Sequence, residues 1–277
     1  MNRPSDVIET VSALRAKGEP FAIATVVRTI SLTAAKAGAK ATILADGTIS
    51  SGWIGGGCAR AAVLRAAMEA IADGKPRLIS VAPIDLLKDL GVEPGEARDG
   101  VEFAKNSCPS QGTMDVFIEP IIPAPELLIC GASPVALALA DLGRRMGFKI
   151  AVSAAPEDIA KFSGLADASH SGFDFGALKP ADRYTMVATQ GRGDEAALIA
   201  ALAVPAHYIG FVGSRKKAEA LRAALTKKGI AAGRLSQLRS PAGLDIGAVT
   251  PDEIALSILG EIIACRRTGH RGTSSSP

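Results

Sequence analysis

Three consecutive glycines lead directly into a cysteine at the start of a helical pattern. The segment is Ser51-Gly52-Trp53-Ile54-Gly55-Gly56-Gly57-Cys58, and the helical pattern follows over residues 59–72. Glycine lacks the Cβ barrier to positive φ, so the N–H groups of this loop can converge on a ligand. A helix N-terminus favours anions and lowers the pKa of a nearby thiol. The segment therefore predicts a site for an anionic, sulfur-handling ligand, and the alternative is a tight turn with a buried structural cysteine.

The composition excludes several classes of function. A chain of 277 residues, of which 48% are hydrophobic, is long enough for about two domains with cores of their own. The net charge of +3 is too small for a dedicated nucleic-acid-binding protein. One Trp and two Tyr also leave few rings to stack on bases, so a small anionic ligand is the better expectation.

Targeting signals and cysteine spacing indicate the compartment. The N-terminus has no signal-peptide pattern, and no apolar run reaches the roughly 18 residues of a membrane helix. The four cysteines, at positions 58, 108, 130 and 265, include no CxxC pair, so neither a zinc site nor a disulfide framework is predicted. We therefore expect a cytoplasmic protein with reduced thiols and no membrane span.

The elements that position the glycine loop belong to a predicted N-terminal α/β domain, residues 1–122. The pattern predicts one capped helix and four strands, over residues 5–18, 21–28, 41–44, 77–81 and 114–119. Asp46-Gly47 is a strong hairpin signal, whereas the polar stretch 85–111 matches no element. Pro120, Pro123 and Pro125 mark the domain boundary.

The second half alternates strand and helix patterns, which predicts a Rossmann-like, doubly wound parallel sheet over residues 126–267. The predicted strands are residues 127–130, 149–152, 186–189 and 208–212, and the predicted helices are residues 135–146, 195–202, 218–225 and 254–266. The Ser-rich residues 268–277 are predicted to be a disordered tail.

The first turn of that half occupies the place of a dinucleotide fingerprint. It is Gly131-Ala132-Ser133-Pro134, in which Ser133 can cap the following helix and Pro134 fits its first position. The second and third fingerprint glycines are absent, and Ser153-Ala154-Ala155 replaces the acidic residue expected after the second strand. The pattern therefore disfavours ordinary NAD binding, although Glu157 and Asp158 are candidates to replace the missing acid.

A second anion site is predicted at Gly213-Ser214-Arg215, where amides, a hydroxyl, a helix N-terminus and cations coincide. Because ligands bind outside the carboxyl ends of parallel strands, this turn should share one edge with Gly131 and with Gln190-Gly191-Arg192. The alternative is a capping Ser214 beside a solvated basic face. Asp245, next to the flexible Gly247, is a candidate general acid or base, or a residue that satisfies loop amides.

Several short motifs follow one another in a fixed order along nearly the whole chain. They are residues 24–28, 38–40, 46–47, 54–58, 117–120, 209–215, 243–247 and 250–253. In that order they resemble the motifs of the XdhC/CoxI family of molybdenum-enzyme maturation factors. The chain departs from the bulk of that family at Gly131-Ala132-Ser133-Pro134, where Gly-Ala-Gly-His is usual.

Two further departures are Thr189-Gln190-Gly191-Arg192, where Thr-His-Asp-His is common, and Cys108-Pro109-Ser110-Gln111-Gly112, which replaces a shorter Cys-Gly-Gly. Together the departures resemble the family member associated with molybdenum–copper carbon monoxide dehydrogenase. They also remove any chemistry that the missing histidines supply in other members.

The resemblance implies a carrier that binds the molybdenum cofactor, here as molybdopterin cytosine dinucleotide, and presents it for sulfuration and insertion into a target dehydrogenase. Its pyrophosphate would bind the Rossmann-edge turns, and its metal-bearing head would approach the glycine loop. Cys58 is then the first candidate for a catalytic or metal-facing thiol, and Cys108 the second. Cys130 and Cys265, in a predicted strand and helix, are interpreted as packing residues. The resemblance also implies cofactor-handling partners and a homodimer.

Two other functions stay open from the sequence. One is an oxidoreductase that binds FAD or NAD(P) in the Rossmann half and uses Cys58 or Asp245 in catalysis. The other is an interaction scaffold whose nucleotide site is degenerate. The missing fingerprint glycines argue against the oxidoreductase and for the scaffold, whereas the retained turn at Gly213 argues against the scaffold.

Overall fold

A computed structural model describes residues 4–31, 33–108, 111–175, 178 and 181–271. The chain divides into two compact units, residues 1–123 and residues 124–277. Over the described residues, the first unit has a seven-stranded sheet and the second a six-stranded sheet. Within those same ranges, no helix is both long and apolar enough to cross a membrane.

The first unit combines a mixed sheet with short and long helices. Its helices are α1 (Pro4–Lys17), α2 (Gly57–Asp73) and α3 (Ile84–Asp89). Its strands are β1 (Phe21–Ile30), β2 (Lys40–Leu44), β3 (Ile49–Gly52), β4 (Arg77–Pro83), β5 (Ala97–Arg98), β6 (Val101–Asn106) and β7 (Thr113–Ile121). The strand order is β3-β2-β1-β7-β4-β6-β5, and β4 and β6 form its parallel pair.

Helix α2 lies on one face of this sheet and fixes the glycine loop that precedes it. Its Val63, Ala66 and Ala67 are fully buried together with Val116 and Ile118 of β7. Small alanine side chains let the helix axis come close to the strands, and burial of the apolar surface stabilises that arrangement. The N-terminus of α2, with the glycines, is thereby held at the end of the sheet.

The stretch 85–111, for which the sequence pattern predicted no element, contains part of α3 and the strands β5 and β6. Asp99 and Gly100 form the two-residue loop between these strands, with φ of 52° and 78°. Positive φ at both positions is the geometry of a type I′ hairpin turn, for which Asp-Gly is a preferred sequence. The dipeptide is therefore a usable hairpin signal within a stretch that otherwise has no periodic pattern.

The second unit is the doubly wound parallel sheet that the sequence predicts. Its strands are β8 (Glu126–Cys130), β9 (Lys149–Ala154), β10 (Ala168–Ser171), β11 (Arg183–Val187), β12 (Tyr208–Phe211) and β13 (Leu238–Arg239). Its helices are α4 (Pro134–Arg145), α5 (Pro156–Ile159), α6 (Asp194–Ala203), α7 (Arg215–Lys227), α8 (Ala232–Leu235) and α9 (Pro251–Arg271), with a 3₁₀ turn at Ala160–Phe162.

The strand order of the second unit is β10-β9-β8-β11-β12-β13, with every pair parallel among the described residues. Counted from β8 as the first strand, this is 3-2-1-4-5-6, the order of dinucleotide-binding Rossmann domains. One apolar cluster contains Leu139 of α4 and Ile258 of α9, and another contains Leu198 of α6 and Leu225 of α7. The order reverses between β8 and β11, where such sheets bind ligands.

Helix α9 extends to Arg271, so the tail boundary predicted at residues 267–268 falls inside it. Residues 272–277, the rest of the predicted tail, lie outside the described residues. The prediction rests on the serine-rich composition of the C-terminal residues, which says little about where the preceding helix ends. A glycine inside a helix costs only about 1 kcal/mol relative to alanine, which the preceding packed turns of α9 can offset.

Candidate functional site

A cavity of about 640 Å³ opens at the carboxyl edge of the second unit's sheet, where the strand order reverses. The turn after β8, the start of α5, the segment after β10 and the turn after β11 form its walls. Its size is within the usual range for small-molecule sites. Of the residues predicted from sequence to bind a cofactor, six line it: Gly131, Ala132, Ser133, Pro134, Gln190 and Arg192.

Gly131 allows the turn after β8 to pass against the end of β11. Its φ is +106°, and a Cβ on it would lie 2.6 Å from Thr189 Cα and 2.7 Å from the Ala188 carbonyl oxygen. Its N–H donates to the Ser153 carbonyl of β9 at 2.8 Å. Since backbone atoms cannot move aside as a flexible side chain can, only glycine fits here.

The N-terminus of α4 provides fewer amides for a phosphate than a usual Rossmann turn. Pro134 has no N–H, and Ser133 Oγ accepts the N–H of Ala136 at 3.2 Å. Of the three residues 134–136 that begin α4, Val135 is therefore the one whose N–H is available to a ligand. A phosphate bound here therefore depends on side-chain cations for most of its neutralisation.

Lys161 and Arg192 are the cations that line this cavity, and both interact with Asp158. Lys161 Nζ lies 2.6 Å from Asp158 Oδ1, whereas Arg192 Nη1 lies 3.7 Å from Oδ2. The hydrogen bond from Lys161, followed by the charges of both cations, lowers the pKa of Asp158 against the effect of its burial. Arg192 is 81% exposed and stands between Gly191 and Gly193, so its side chain is weakly held.

Asp194, which the sequence pattern did not single out, organises the turn after β11. Its carboxylate accepts the Thr189 hydroxyl and, at 3.0 Å, the Gly191 N–H, and it pairs with Lys217 Nζ of α7. Burial opposes ionisation, but these partners together lower the pKa of Asp194. The helix was predicted to begin at Glu195, one residue after its true first residue.

Asp194→Asn is expected to lower the free energy of unfolding at pH 7 by about 1–3 kcal/mol, because a buried charged hydrogen-bond network loses its centre. The folded pKa lies below the ordinary value of 3.8, so ionised Asp194 stabilises the fold above that value. This stabilisation disappears as the pH falls through the lowered pKa. Urea unfolding at pH 7 and about pH 3 should show the two proteins converging in acid, and an equal gap at both would contradict the assignment.

The structure places the second predicted anion turn beside the cavity, at the start of α7. Ser214 Oγ accepts the Lys217 N–H at 3.3 Å, and both Ser214 and Arg215 are exposed. The described residues that line the cavity do not include Gly213, Ser214 or Arg215. Packing explains why residue 213 is a glycine, since a Cβ at this position would lie 2.4 Å from the Phe211 ring.

In the first unit, the glycine loop and Cys108 line one small pocket of about 70 Å³. Gly55 and Gly56 contribute one wall, and Cys108 follows β6 on another. The Cys108 N–H donates to Asn106 Oδ1 at 2.9 Å, and Asn106 Nδ2 donates to the Gly112 carbonyl at 2.6 Å. Asn106 therefore holds the Cys108 loop against the pocket.

Cys58 is the second residue of α2, directly after the glycines. Gly55 and Gly57 have φ of +98° and +61°, the conformations that the glycine run predicted. Within the described residues no side chain caps this helix, so its first amides point toward the loop without a competing oxygen. The Cys58 side chain itself lies outside the described part of the chain.

The remaining candidates are not among the described residues that line either pocket. Asp245 is exposed in a loop before α9. Cys130 is fully buried in β8, and burial raises the pKa of its thiol. Cys265 Sγ lies 3.8 Å from the His207 carbonyl oxygen. Over the described residues, no three His, Cys, Asp or Glu side chains converge as metal ligands.

Two family descriptions match this chain, one in each unit. Residues 127–262 match the XdhC Rossmann domain, and residues 14–82 match the XdhC and CoxI family. The uncharacterized protein YqeB of Escherichia coli (strain K12) is 30% identical over 280 aligned positions, which cover 98% of this chain and 48% of YqeB. A protein of Bacillus subtilis (strain 168) described as a probable xanthine dehydrogenase subunit is 29% identical over 165 positions, covering 56% of this chain and 47% of that protein.

A crystal structure described as a xanthine dehydrogenase from Bacillus halodurans aligns over 98% of both chains, with 20% identity and a TM-score of 0.47. This chain spans about half the length of the curated relatives it matches.

Proposed function

We propose that this chain, which belongs to the XdhC family through both of its domains, is a maturation factor for molybdenum enzymes. In this role it binds the molybdenum cofactor and assists its sulfuration and insertion into a molybdenum hydroxylase. The observation that carries the proposal is the cavity of about 640 Å³ at the reversal point of the Rossmann sheet. A ligand with a pyrophosphate and a nucleoside suits such a site.

The form of the cofactor that we propose is molybdopterin cytosine dinucleotide. Its pyrophosphate would meet the Val135 N–H together with the guanidinium of Arg192, and its nucleoside would extend toward α5 along the cavity. The departures at Ser133-Pro134 and at Gln190-Gly191-Arg192 support a resemblance to CoxF, the family member associated with molybdenum–copper carbon monoxide dehydrogenase, and hence a carbon monoxide dehydrogenase as the target. Ser133, Pro134, Gln190 and Arg192 line the cavity, so these departures would change its contacts with a ligand.

For the first unit we assign the sulfur-handling chemistry to Cys58 and Cys108. Cys58 follows the glycines at the start of α2, where the structure describes no side-chain cap, and helix N-termini in general are sites at which reactive thiols occur. Cys108 lines the pocket that Gly55 and Gly56 also line. A pocket of about 70 Å³ admits a few heavy atoms, which suits transfer of a small group and not storage of a whole cofactor.

The partners and setting follow from the same proposal. The chain would act in the cytoplasm as a homodimer and would meet its target dehydrogenase and the proteins that synthesise or sulfurate the cofactor. The Bacillus subtilis relative, named for a xanthine dehydrogenase, supports a target among molybdenum hydroxylases.

A second candidate function is an oxidoreductase that uses FAD or NAD(P). The 3-2-1-4-5-6 strand order favours it, since the same order binds these dinucleotides in other proteins. Equilibrium binding of molybdopterin cytosine dinucleotide to the purified chain, with NAD and FAD as competitors, separates the two functions. Tight pterin binding that neither nucleotide displaces supports the maturation role. Binding of FAD or NAD without pterin binding would overturn it.

Arg192→Ala is expected to weaken cofactor binding by about 1.5–3 kcal/mol, because a phosphate loses a charged hydrogen bond. Arg215→Ala is the matched control: it removes the same exposed side chain from the neighbouring turn, beside the cavity. Its effect should stay below about 1 kcal/mol, as for an exposed charge near a ligand. Titration of both variants with the cofactor measures the difference in affinity. A larger loss of affinity for Arg215→Ala would mean that the phosphate binds at the α7 turn and not at Arg192.

A further inference from the structure

The end of strand β9 lacks the carboxylate that usually binds a ribose. In sheets with this order, an acidic residue after the second strand accepts a hydrogen bond from the ribose 2′-hydroxyl. Here β9 ends at Ser153-Ala154, and the Ser153 hydroxyl donates to the Gly172 carbonyl. The strand end therefore has no free acceptor of the expected kind.

Two carboxylates appear one turn later, both in the cavity wall. Glu157 is exposed, whereas Asp158 is 8% exposed and lies in α5 facing the cavity. Lys161 contacts Asp158 Oδ1, and Arg192 approaches Oδ2 from across the cavity. A carboxylate has about four lone-pair positions, so these two cations orient Asp158 without using its full capacity to accept hydrogen bonds.

We propose that Asp158 is the ribose-binding carboxylate of this cavity, displaced from the strand end into the following helix, and that it selects ribonucleotides by their 2′-hydroxyl. The inference rests on the proposed function, because it requires a nucleotide diphosphate in the cavity. Asp158 is suited to this role and Glu157 is not, because Lys161 fixes the Asp158 carboxylate and burial excludes competing water.

The same arrangement divides the ligand between two walls. Arg192 stands on the turn after β11, and its contact with Asp158 is long, so it can turn to a phosphate while Lys161 keeps Asp158 in place. The ribose then lies between the phosphate, near Arg192, and the base, near Phe173 at the end of β10. One ionic cluster thereby serves both the phosphate and the sugar.

Cytidine diphosphate and its 2′-deoxy form test the assignment, since they differ by one hydroxyl and represent the nucleotide half of the proposed cofactor. Titration calorimetry of the full chain should show the ribonucleotide favoured by about tenfold or more, the ratio expected for a hydrogen bond to a charged group. Asp158→Ala should bring the two affinities to about the same value. Glu157→Ala is the matched control and should keep the original ratio.

The ratio is informative because a merely structural role of Asp158 would weaken both nucleotides equally. Equal binding of the two by the wild type would overturn the inference and leave the proposed function standing. An unchanged ratio in Asp158→Ala would overturn the assignment to Asp158. Failure of both nucleotides to bind would overturn the inference, while the competition experiment with the pterin dinucleotide decides the proposed function separately.

Discussion

Gly131→Ala is expected to lower the free energy of unfolding of the second unit by about 3 kcal/mol or more and to abolish ligand binding in its cavity. Two costs add at this position. Alanine rarely adopts a φ of +106°, and its Cβ would lie within 2.6–2.7 Å of the backbone at Ala188 and Thr189. Relief of that contact requires the turns after β8 and β11 to separate, which changes the cavity wall.

Gly147→Ala provides the matched control. Gly147 follows α4 in the same unit with φ of +83°, and a Cβ there would meet no described atom within 4 Å. Gly147→Ala should therefore lower the free energy of unfolding only by the penalty for a positive φ, about 1–2 kcal/mol. Chemical unfolding of both variants isolates the steric part as their difference. If the two variants were equally stable, the close approach at Gly131 would have no energetic weight.

Cys58→Ala is expected to leave the fold intact and to reduce the activity of the matured target enzyme by an order of magnitude or more, roughly the effect of deleting a reacting group. Cys58 is the second residue of α2, and the proposed function assigns it the sulfur-handling chemistry. Alanine is a better helix former than cysteine, so the loss would not come from unfolding. The measurement is target activity after maturation with each variant, beside thermal unfolding of the variant.

Two further variants are compared with Cys58→Ala: Cys108→Ala is a second test, and Cys265→Ala is the control. Cys108 lines the small pocket of the first unit, so its loss should also impair maturation. Cys265 is half-buried in α9 of the second unit, and its replacement should leave maturation unchanged. Full target activity with Cys58→Ala would remove the thiol from the mechanism, and equal losses for Cys58→Ala and Cys265→Ala would point to a nonspecific effect.

The alternation of apolar strands and capped helices predicted the parallel sheet of the second unit, because buried strands and amphipathic helices have strong local signals. Strand β10 escaped prediction for the opposite reason. Its sequence, Ala168–Ser171, is polar, and within the described part of the chain it pairs with β9 at the sheet edge. An edge strand buries little, so its residues follow no apolar period.

The candidate site could be predicted in part. The turns at Gly131 and Arg192 were found because glycines, caps and cations follow predicted strands. The exposed turn at Arg215 has the same local sequence signals. Nothing in its sequence reveals that, among the described residues, it is not one that lines the cavity. Lys161 and Asp194 were missed since their importance comes from contacts with Asp158 and Lys217, and such pairings depend on the distance between turns in the folded sheet.

The start of helix α4 also determines how ionic strength should affect the binding of a phosphate. Pro134 lacks an N–H, and Ser133 Oγ already accepts the N–H of Ala136, so few helix amides are available. Amides inside a helix are fixed, whereas the exposed guanidinium of Arg192 is surrounded by salt that screens charges over about 8 Å at physiological concentration. A cavity that holds phosphate through such a side chain binds less tightly as salt rises. If Arg192 binds the phosphate as proposed, a rise in salt concentration would weaken ligand binding without any change in the fold.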